Sequence, residues 1–344
     1  MTREEIDKIV LKGDSQKAEL IETHISWVVL GERFVFKIKR PIKYSFLDFS
    51  TIEKRKYYCE REVQLNSRLT DNIYLDVQPV KEIAGQFFIG SGDGKTIDYA
   101  VRMRKLDRDM QMNILLSNNK VTSDDIQRLA KKIARFHKTA LLIRKKDFDL
   151  FRKEFNDLNN EKAYLSEYLP SAGVMIDEAI GASDRFIDEK RHVFDARLKK
   201  GFFKDCHGDL HSRNIFLLPD PQPFDCIEFN DDFRAIDVLN EVAFLCMDLD
   251  AFGKQDLSEL FLNSYNSLLP AIQTFEDYSL FVYYKMYRAN IRAKVNSLRA
   301  RSTDNDSKRR QSLSEAGKYL ALMSDYLRIL GMKHKRWPLR GVEI

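Results

Sequence analysis

Cysteine is scarce in this chain. Cys59, Cys206, Cys226 and Cys246 are all that 344 residues contain, far apart and without a C-x-x-C pair. That spacing argues against a zinc knuckle or a disulfide framework, and reduced, buried thiols are the expectation. Histidine is equally sparse at six. No uninterrupted apolar run approaches the roughly 20 residues that span a bilayer, so no membrane partner is expected. The opening Met1-Thr2-Arg3-Glu4-Glu5-Ile6 has no apolar stretch of the secretory kind, which leads to the expectation of a cytoplasmic protein. Charge of one sign is lacking too. A net charge of +5 is small for this length, and acidic and basic residues are interleaved, so composition does not point to nucleic acid. There is no internal repeat and no low-complexity segment, and the sequence specifies no oligomeric state.

What is present is enough for a packed enzyme-sized protein: 44% of residues are apolar and 32% charged. Ile6, Ile9 and Val10 lie at helical spacing, predicting a short leading helix over residues 4 to 12. Two β-rich runs, Ala18 to Leu30 and Arg33 to Lys39, flank Gly31-Glu32 and predict a hairpin. In the second run Phe34, Phe36 and Ile38 alternate with Lys37 and Lys39, which places both lysines on one face of the strand. Ser50-Thr51-Ile52-Glu53 has the form of a capping box and opens a helix to about Leu69. On that helix Glu60 shares a polar face with Lys56 and Gln64, whereas Glu62 lies on the apolar stripe with Tyr58, Leu65 and Leu69. A carboxylate on a buried stripe needs a cation, and Lys37 is its natural partner. Further strands are predicted over 75–83, 86–90 and 98–106, with a polar turn from Gly90 to Gly94.

From Asp107 onward the pattern is helical, so the fold class is α+β. Ser123-Asp124-Asp125 caps a helix whose apolar stripe includes His137, expected as a hydrogen-bonded core histidine. Residues 150 to 200 read as helices and loops ending at Gly201, a C-cap, and four more helices follow over 237–249, 257–269, 278–299 and 313–330. Arg301 to Lys308 is predicted to be a linker.

The chemistry concentrates in Cys206-His207-Gly208-Asp209-Leu210-His211-Ser212-Arg213-Asn214, followed by Phe224-Asp225-Cys226-Ile227-Glu228-Phe229-Asn230. An aspartate and an asparagine stand five residues apart on a short loop, and a carboxylate follows fourteen residues later on an apolar run read as a strand. Phosphoryl transfer needs chiefly positioning and charge neutralisation. In that scheme Asp209 accepts the hydroxyl proton, Asn214 and Glu228 hold magnesium, Lys37 holds the nucleotide phosphates and Glu62 orients Lys37. Asp225 is a second candidate metal ligand, to be decided by register.

These residues support a resemblance. His207-Gly208-Asp209-Leu210-His211 with Asn214, then Ile227-Glu228-Phe229-Asn230, then Asp237 and Glu241-Val242-Ala243, resemble the aminoglycoside phosphotransferase family of kinase-like enzymes. Its usual forms are H-G-D-x-x-x-x-N, I-D-W-E and D-x-x-x-D-L-A. Glu22 to Val28, Phe46 to Thr51 and Asp225 to Asn230 look like the branch often fused to a P-loop ATPase domain. No G-x-x-x-x-G-K-[ST] occurs in the sequence, so that domain is expected to be absent. The resemblance spans residues 18 to 300 and implies a two-lobed protein-kinase-like fold, with a nucleotide-binding lobe over 1–106 and a catalytic and substrate lobe over 107–344. It also implies ATP, magnesium and a small hydroxyl-bearing acceptor. Two departures stand out: Glu228 replaces the family's metal-binding aspartate, and the turn from Thr23 to Ser26 has no glycine, leaving a phosphate cradle to side chains and to the Ser26 region.

Two other readings stay open. Gly208-Asp209-Leu210-His211 partly matches the G-D-x-H of dinuclear metallophosphoesterases, which need more His and Asp ligands than this chain offers. A pseudokinase acting as a nucleotide-binding or regulatory module would accommodate both departures. At the substrate end, Asp231, Asp232 and Glu241 would suit a cationic acceptor, whereas Lys285, Arg288 and Arg292 share a helix face that is either solvated or suited to an anionic one.

Overall fold

The computed structural model describes residues 1–11, 18–44 and 46–331. The chain forms two compact units. The first comprises Met1–Asn119, His207–Asp209 and Arg213–Arg234, and the second comprises Lys120–Cys206, Leu210–Ser212 and, of the described residues, 235–331.

The first unit is built on a seven-stranded sheet. After a short helix α1 (Arg3–Asp7) come β1 (Ile9–Val10), β2 (Glu19–Glu22), β3 (Ser26–Leu30), β4 (Phe34–Lys39), the small pair β5 (Lys43–Tyr44) and β6 (Leu47–Asp48), and helix α2 (Ile52–Asn66). Then follow β7 (Tyr74–Ile83), β8 (Gln86–Ile89), β9 (Lys95–Arg104) and a short helix α3 (Met112–Ser117). The sheet order is β1-β8-β7-β9-β4-β3-β2, antiparallel except where β1 pairs in parallel with β8.

Three local expectations need correction. The leading helix stops at Asp7, and Ile9 and Val10 instead extend the sheet beside Phe87 and Phe88. An apolar triplet at helical spacing cannot distinguish a helix from a β-branched pair joining an edge. The run from Ala18 to Leu30 is two strands, because the Thr23 hydroxyl donates to the Ser26 carbonyl and accepts from the Ser26 amide, closing a tight turn. Helix α2 is capped by Thr51, whose side chain accepts from the Lys54 amide, so the box beginning at Ser50 does not form.

The alternation in β4 sorts its side chains to two sides of the sheet. Phe36 and Ile38 pack with Trp27, Val29, Val80, Ile89 and Ala100. The opposite side, where Val101 packs with Cys59, Ile73 and Tyr74, carries α2. Lys37, registered between Val28 of β3 and Val101 of β9, faces that second side with Lys39.

The second unit is helical: α4 (Ser123–Thr139), α5 (Asp149–Asn156), α6 (Lys162–Tyr168), α7 (Ala172–Glu189) and α8 (Arg191–Lys199). Gly201 follows α8 at φ +79°, the left-handed C-cap position. Strand β10 (Phe203–Asp205) leads toward the candidate loop. Returning to the first unit, β11 (Ile215–Phe216) pairs with β12 (Gln222–Pro223). The second unit resumes with β13 (Ala235–Asp237), antiparallel to β10, and helices α9 (Val238–Ala251), α10 (Gln255–Leu268), α11 (Phe275–Arg301) and α12 (Asp306–Gly331). The cap of α4 is Thr122, in a reciprocal pair with Asp125, one residue earlier than the pattern suggested. The linker shrinks to residues 302–305, since α11 runs to Arg301 and α12 begins at Asp306. In the interior of this unit Arg197 spans both oxygens of Asp237, the N-cap of α9, and also reaches Asp277. None of the helices among the described residues is long and apolar enough to cross a membrane.

Candidate active site

All six residues singled out from the sequence, Ser26, Lys37, Glu62, Asp209, Asn214 and Glu228, fall in the first unit. The loop is organised from His207, which is fully buried. Its Nδ1 accepts the Asp209 amide at 3.2 Å, so Nε2 carries the proton and donates to the Phe224 carbonyl at 2.9 Å. A neutral imidazole therefore ties the loop to the returning segment. Gly208 stands at φ +89°, and a β-carbon there would lie 2.8 Å from the Phe233 carbonyl oxygen. Only glycine accepts both the left-handed backbone and that approach. Gly208→Ala is expected to cost on the order of 1–3 kcal/mol in urea unfolding, since strain and a backbone clash combine; a loss below 0.5 kcal/mol would contradict this reading. Past Gly208, Asn214 Nδ2 donates to the Asp209 carbonyl at 3.0 Å and to Oδ2 of its carboxylate at 2.9 Å. The amide nitrogen thus fixes the orientation of the acid.

The second group of charges is a buried chain of alternating sign. Glu62 is fully buried on α2; its Oε1 accepts from Lys37 Nζ and its Oε2 from Lys39 Nζ, both at 2.8 Å. Lys37 also donates to Asp225 Oδ1 at 2.6 Å, and Lys39 donates to Glu228 Oε1. Burial alone would lower Lys37, but the Asp225 and Glu62 carboxylates outweigh it and hold it well above its ordinary value. Lys39 is likewise raised against the effect of burial, by Glu228 and Glu62. Burial would raise Glu62, yet the two lysines draw it down to about 2. Glu228 moves upward, because its burial and the nearby Glu62 charge outweigh the pull of Lys39. Three carboxylates and two ammoniums leave one excess negative charge in this chain of contacts.

The ends of this chain differ in access. Glu228 has a side chain only 3% exposed, whereas that of Asp225 is 43% exposed. The segment carrying both is not the strand the apolar run suggested: regular structure stops at Pro223. Asp225 adopts φ +63°, and its amide donates to the Tyr74 hydroxyl at 3.1 Å. The next amide, of Cys226, donates to Asn66 Oδ1 at 2.9 Å. The last turn of α2 therefore grips the segment by its backbone, and the left-handed residue turns one carboxylate toward Lys37.

Ser26 stands apart from these contacts. It is fully buried, and its hydroxyl has no hydrogen-bond partner. Its turn is held by the Thr23 hydroxyl and by Arg40, which donates to the Thr23 carbonyl at 3.1 Å. Glycine is unnecessary because side chains satisfy the turn.

Sequence reasoning placed Lys39 on the correct face but assigned it no role, and it named Asp225 only as an alternative. The strand alternation was a signal for the first; the left-handed backbone at Asp225 had none. Three expectations in the second unit change. Glu241 is buried against His137 Nε2 at 2.7 Å and so does not contribute to an open acidic pocket. Arg288 and Arg292 are buried rather than solvated or lining an anion site, Arg288 donating to Asn240 Oδ1 at 2.6 Å. Lys285 pairs with Asp250. His137 is the hydrogen-bonded core histidine expected, its Nδ1 lying 2.7 Å from the Tyr265 hydroxyl. Cys206 approaches it and Glu241 within 4.8 Å, but both ring nitrogens already have partners. The four cysteines are buried and unpaired with one another.

No protein-family model matches the chain. Over 296 residues it is 30% identical to an uncharacterized protein of Mycobacterium tuberculosis and to one of Mycobacterium bovis, covering 83% of this chain and 56% of theirs. The chain thus spans little more than half the length of the curated relatives it matches. Among solved structures, choline kinase from Cryptosporidium parvum superposes with a TM-score of 0.58 at 11% identity, over 93% of this chain and 91% of that one. A choline/ethanolamine kinase family protein from Mesorhizobium loti gives 0.51 at 15%, covering 93% of both chains. An aminoglycoside phosphotransferase from Alicyclobacillus acidocaldarius gives 0.50 at 13%, covering 96% of both.

Proposed function

The chain has the α+β kinase-like fold of choline kinases and aminoglycoside phosphotransferases, and on that premise we propose that it is an ATP-dependent phosphotransferase acting on a hydroxyl of a small molecule. The observation that carries this is the pairing of the Asn214-held Asp209 carboxylate with the Lys37–Glu62 ion pair inside one compact unit. Residues 1–106 would form the nucleotide lobe and 107–344 the catalytic and substrate lobe.

In this reading Asp209 accepts the proton of the acceptor hydroxyl. The hydroxyl oxygen forms its bond to the γ-phosphorus as the bond from that phosphorus to the bridging oxygen breaks, and the electron pair leaves on ADP. Lys37, kept charged by Glu62 and Asp225, holds the phosphates. The turn from Thr23 to Ser26 would cover them, although the Ser26 hydroxyl itself is fully buried and unpartnered. The amide oxygen of Asn214 and one carboxylate from the segment that carries Asp225 and Glu228 are hard oxygen ligands of the kind magnesium takes, so the donor types fit that ion. Magnesium, when bound, neutralises charge on the β- and γ-phosphates.

Mg-ATP is expected to raise the melting temperature, and labelled ATP is expected to transfer phosphate to at least one member of a panel of amino alcohols, aminoglycosides and other small hydroxyl compounds. Asp209→Ala should abolish transfer while leaving the melting temperature of the free protein in place. The absence of both a thermal shift and transfer, with magnesium and with manganese, would refute the proposal. A shift without transfer would instead favour a nucleotide-binding module.

A further inference from the structure

We propose that Lys39 and Glu228 form a buried clamp that positions the Glu62–Lys37 pair, and that Asp225, not Glu228, is the carboxylate that would join Asn214 in holding a divalent cation. The inference rests on the phosphotransferase reading and assigns roles within that site.

Glu62 has two carboxylate oxygens and two lysines, one for each. An ammonium at Lys39 with no other carboxylate would compete with Lys37 for the same acid. Glu228 prevents this by taking the other side of Lys39. The Phe49 ring, with its centre 4.9 Å from Lys39 Nζ, completes the cage. Lys39 is fully buried among these groups, so its charge is spent within the protein, whereas the Lys37 side chain retains 11% exposure. The two lysines are thereby distinguished: Lys37 meets the ligand and Lys39 holds the acid that orients it.

The same contacts argue against Glu228 as a ligand. Both carboxylates already meet an ammonium, Asp225 that of Lys37 and Glu228 that of Lys39, but a cation on Glu228 would also have to enter a position almost closed to solvent. Asp225 is open on one side, and its segment joins the Asn214 region directly, since the Phe224 amide donates to the Asn214 carbonyl at 2.9 Å. The left-handed backbone at Asp225 is the local strain that turns its carboxylate toward Lys37 and the open side.

A positioning residue and a metal ligand affect nucleotide binding differently. The test measures ADP dissociation constants by calorimetry with and without Mn2+, on the full chain, and takes their ratio as the metal enhancement. Glu228→Gln, which frees Lys39 to compete for Glu62, should weaken metal-free ADP binding while leaving the enhancement within about twofold of wild type. The double variant Lys39→Met with Glu228→Leu removes the competing charge and should restore metal-free ADP binding, again with the enhancement intact; it also serves if the glutamine variant does not fold. Asp225→Asn should cut the enhancement by at least about tenfold, the lower end of the losses that follow perturbation of a metal site. Collapse of the enhancement in both Glu228 variants with retention in Asp225→Asn would overturn the inference alone, as would an unchanged enhancement in Asp225→Asn. A wild-type chain showing no metal-enhanced ADP binding would overturn the inference and the phosphotransferase reading together.

Discussion

Asp209→Asn is expected to lower phosphoryl transfer by about 10²–10⁴-fold, the range that a positioned general base contributes. The substitution keeps the shape of the side chain and an oxygen for Asn214 Nδ2 to meet, so the loop geometry should persist. What it removes is the capacity to accept a proton as the acceptor oxygen attacks. The decisive comparison is between initial rates with labelled ATP and the melting temperature of the free protein. A large loss of rate at constant melting temperature assigns the base. A variant that keeps more than a tenth of the wild-type rate would mean that the proton goes elsewhere.

Glu62→Leu is expected to cost about 3–5 kcal/mol, the penalty for removing one member of a buried charge network. Lys37 and Lys39 would each lose a carboxylate contact at 2.8 Å in a region with little access to water. Glu60→Leu, two residues earlier on the exposed face of α2, is the control and should change stability by less than about 0.5 kcal/mol. Chemical denaturation of the two variants side by side tests the contrast, and equal effects would refute it. The pH dependence has a definite sign. Glu62 is depressed from 4.5 to about 2, so its stabilisation is complete above 4.5 and is lost as the pH falls toward 2. The stability gap between wild type and Glu62→Leu should therefore narrow over that interval; a gap that widens on acidification would contradict the assignment.

Much of this site was legible in the residues. Helical periodicity put Glu62 rather than Glu60 on the apolar stripe, the rest of the motif favoured a buried cation as its partner, and Lys37 is that partner. The spacing of Asp209 and Asn214 marked them as members of one catalytic loop, whereas the hydrogen bond between their side chains came only from the structure. Gly208 belonged to the same signature, although the reason for it, a carbonyl of Phe233 approaching from another part of the chain, has no trace in the local sequence. The capping residues of α2 and α4 each shifted by one position because several residues in a row had the chemistry to cap, and the path of the chain chose among them.

By itself the sequence determined most of the elements, the order of a sheet-rich part followed by a helical part, and the chemical identity of the candidate loop, because periodicity and short-range spacing are local properties. The roles of the charges were decided only by the tertiary structure. Asp225 and Glu228 are three positions apart on one segment, equivalent in chemistry, yet one meets Lys37 with an exposed flank and the other is enclosed with Lys39. That difference arises from a left-handed residue, a backbone grip from Asn66 on α2 and two lysines from a distant strand. Likewise Arg288 and Glu241, whose charge suggested a binding surface, were assigned to the interior by partners far along the chain. Charge in a sequence states what a residue can bind; burial and the partners that folding supplies decide whether any of that capacity is left for a ligand.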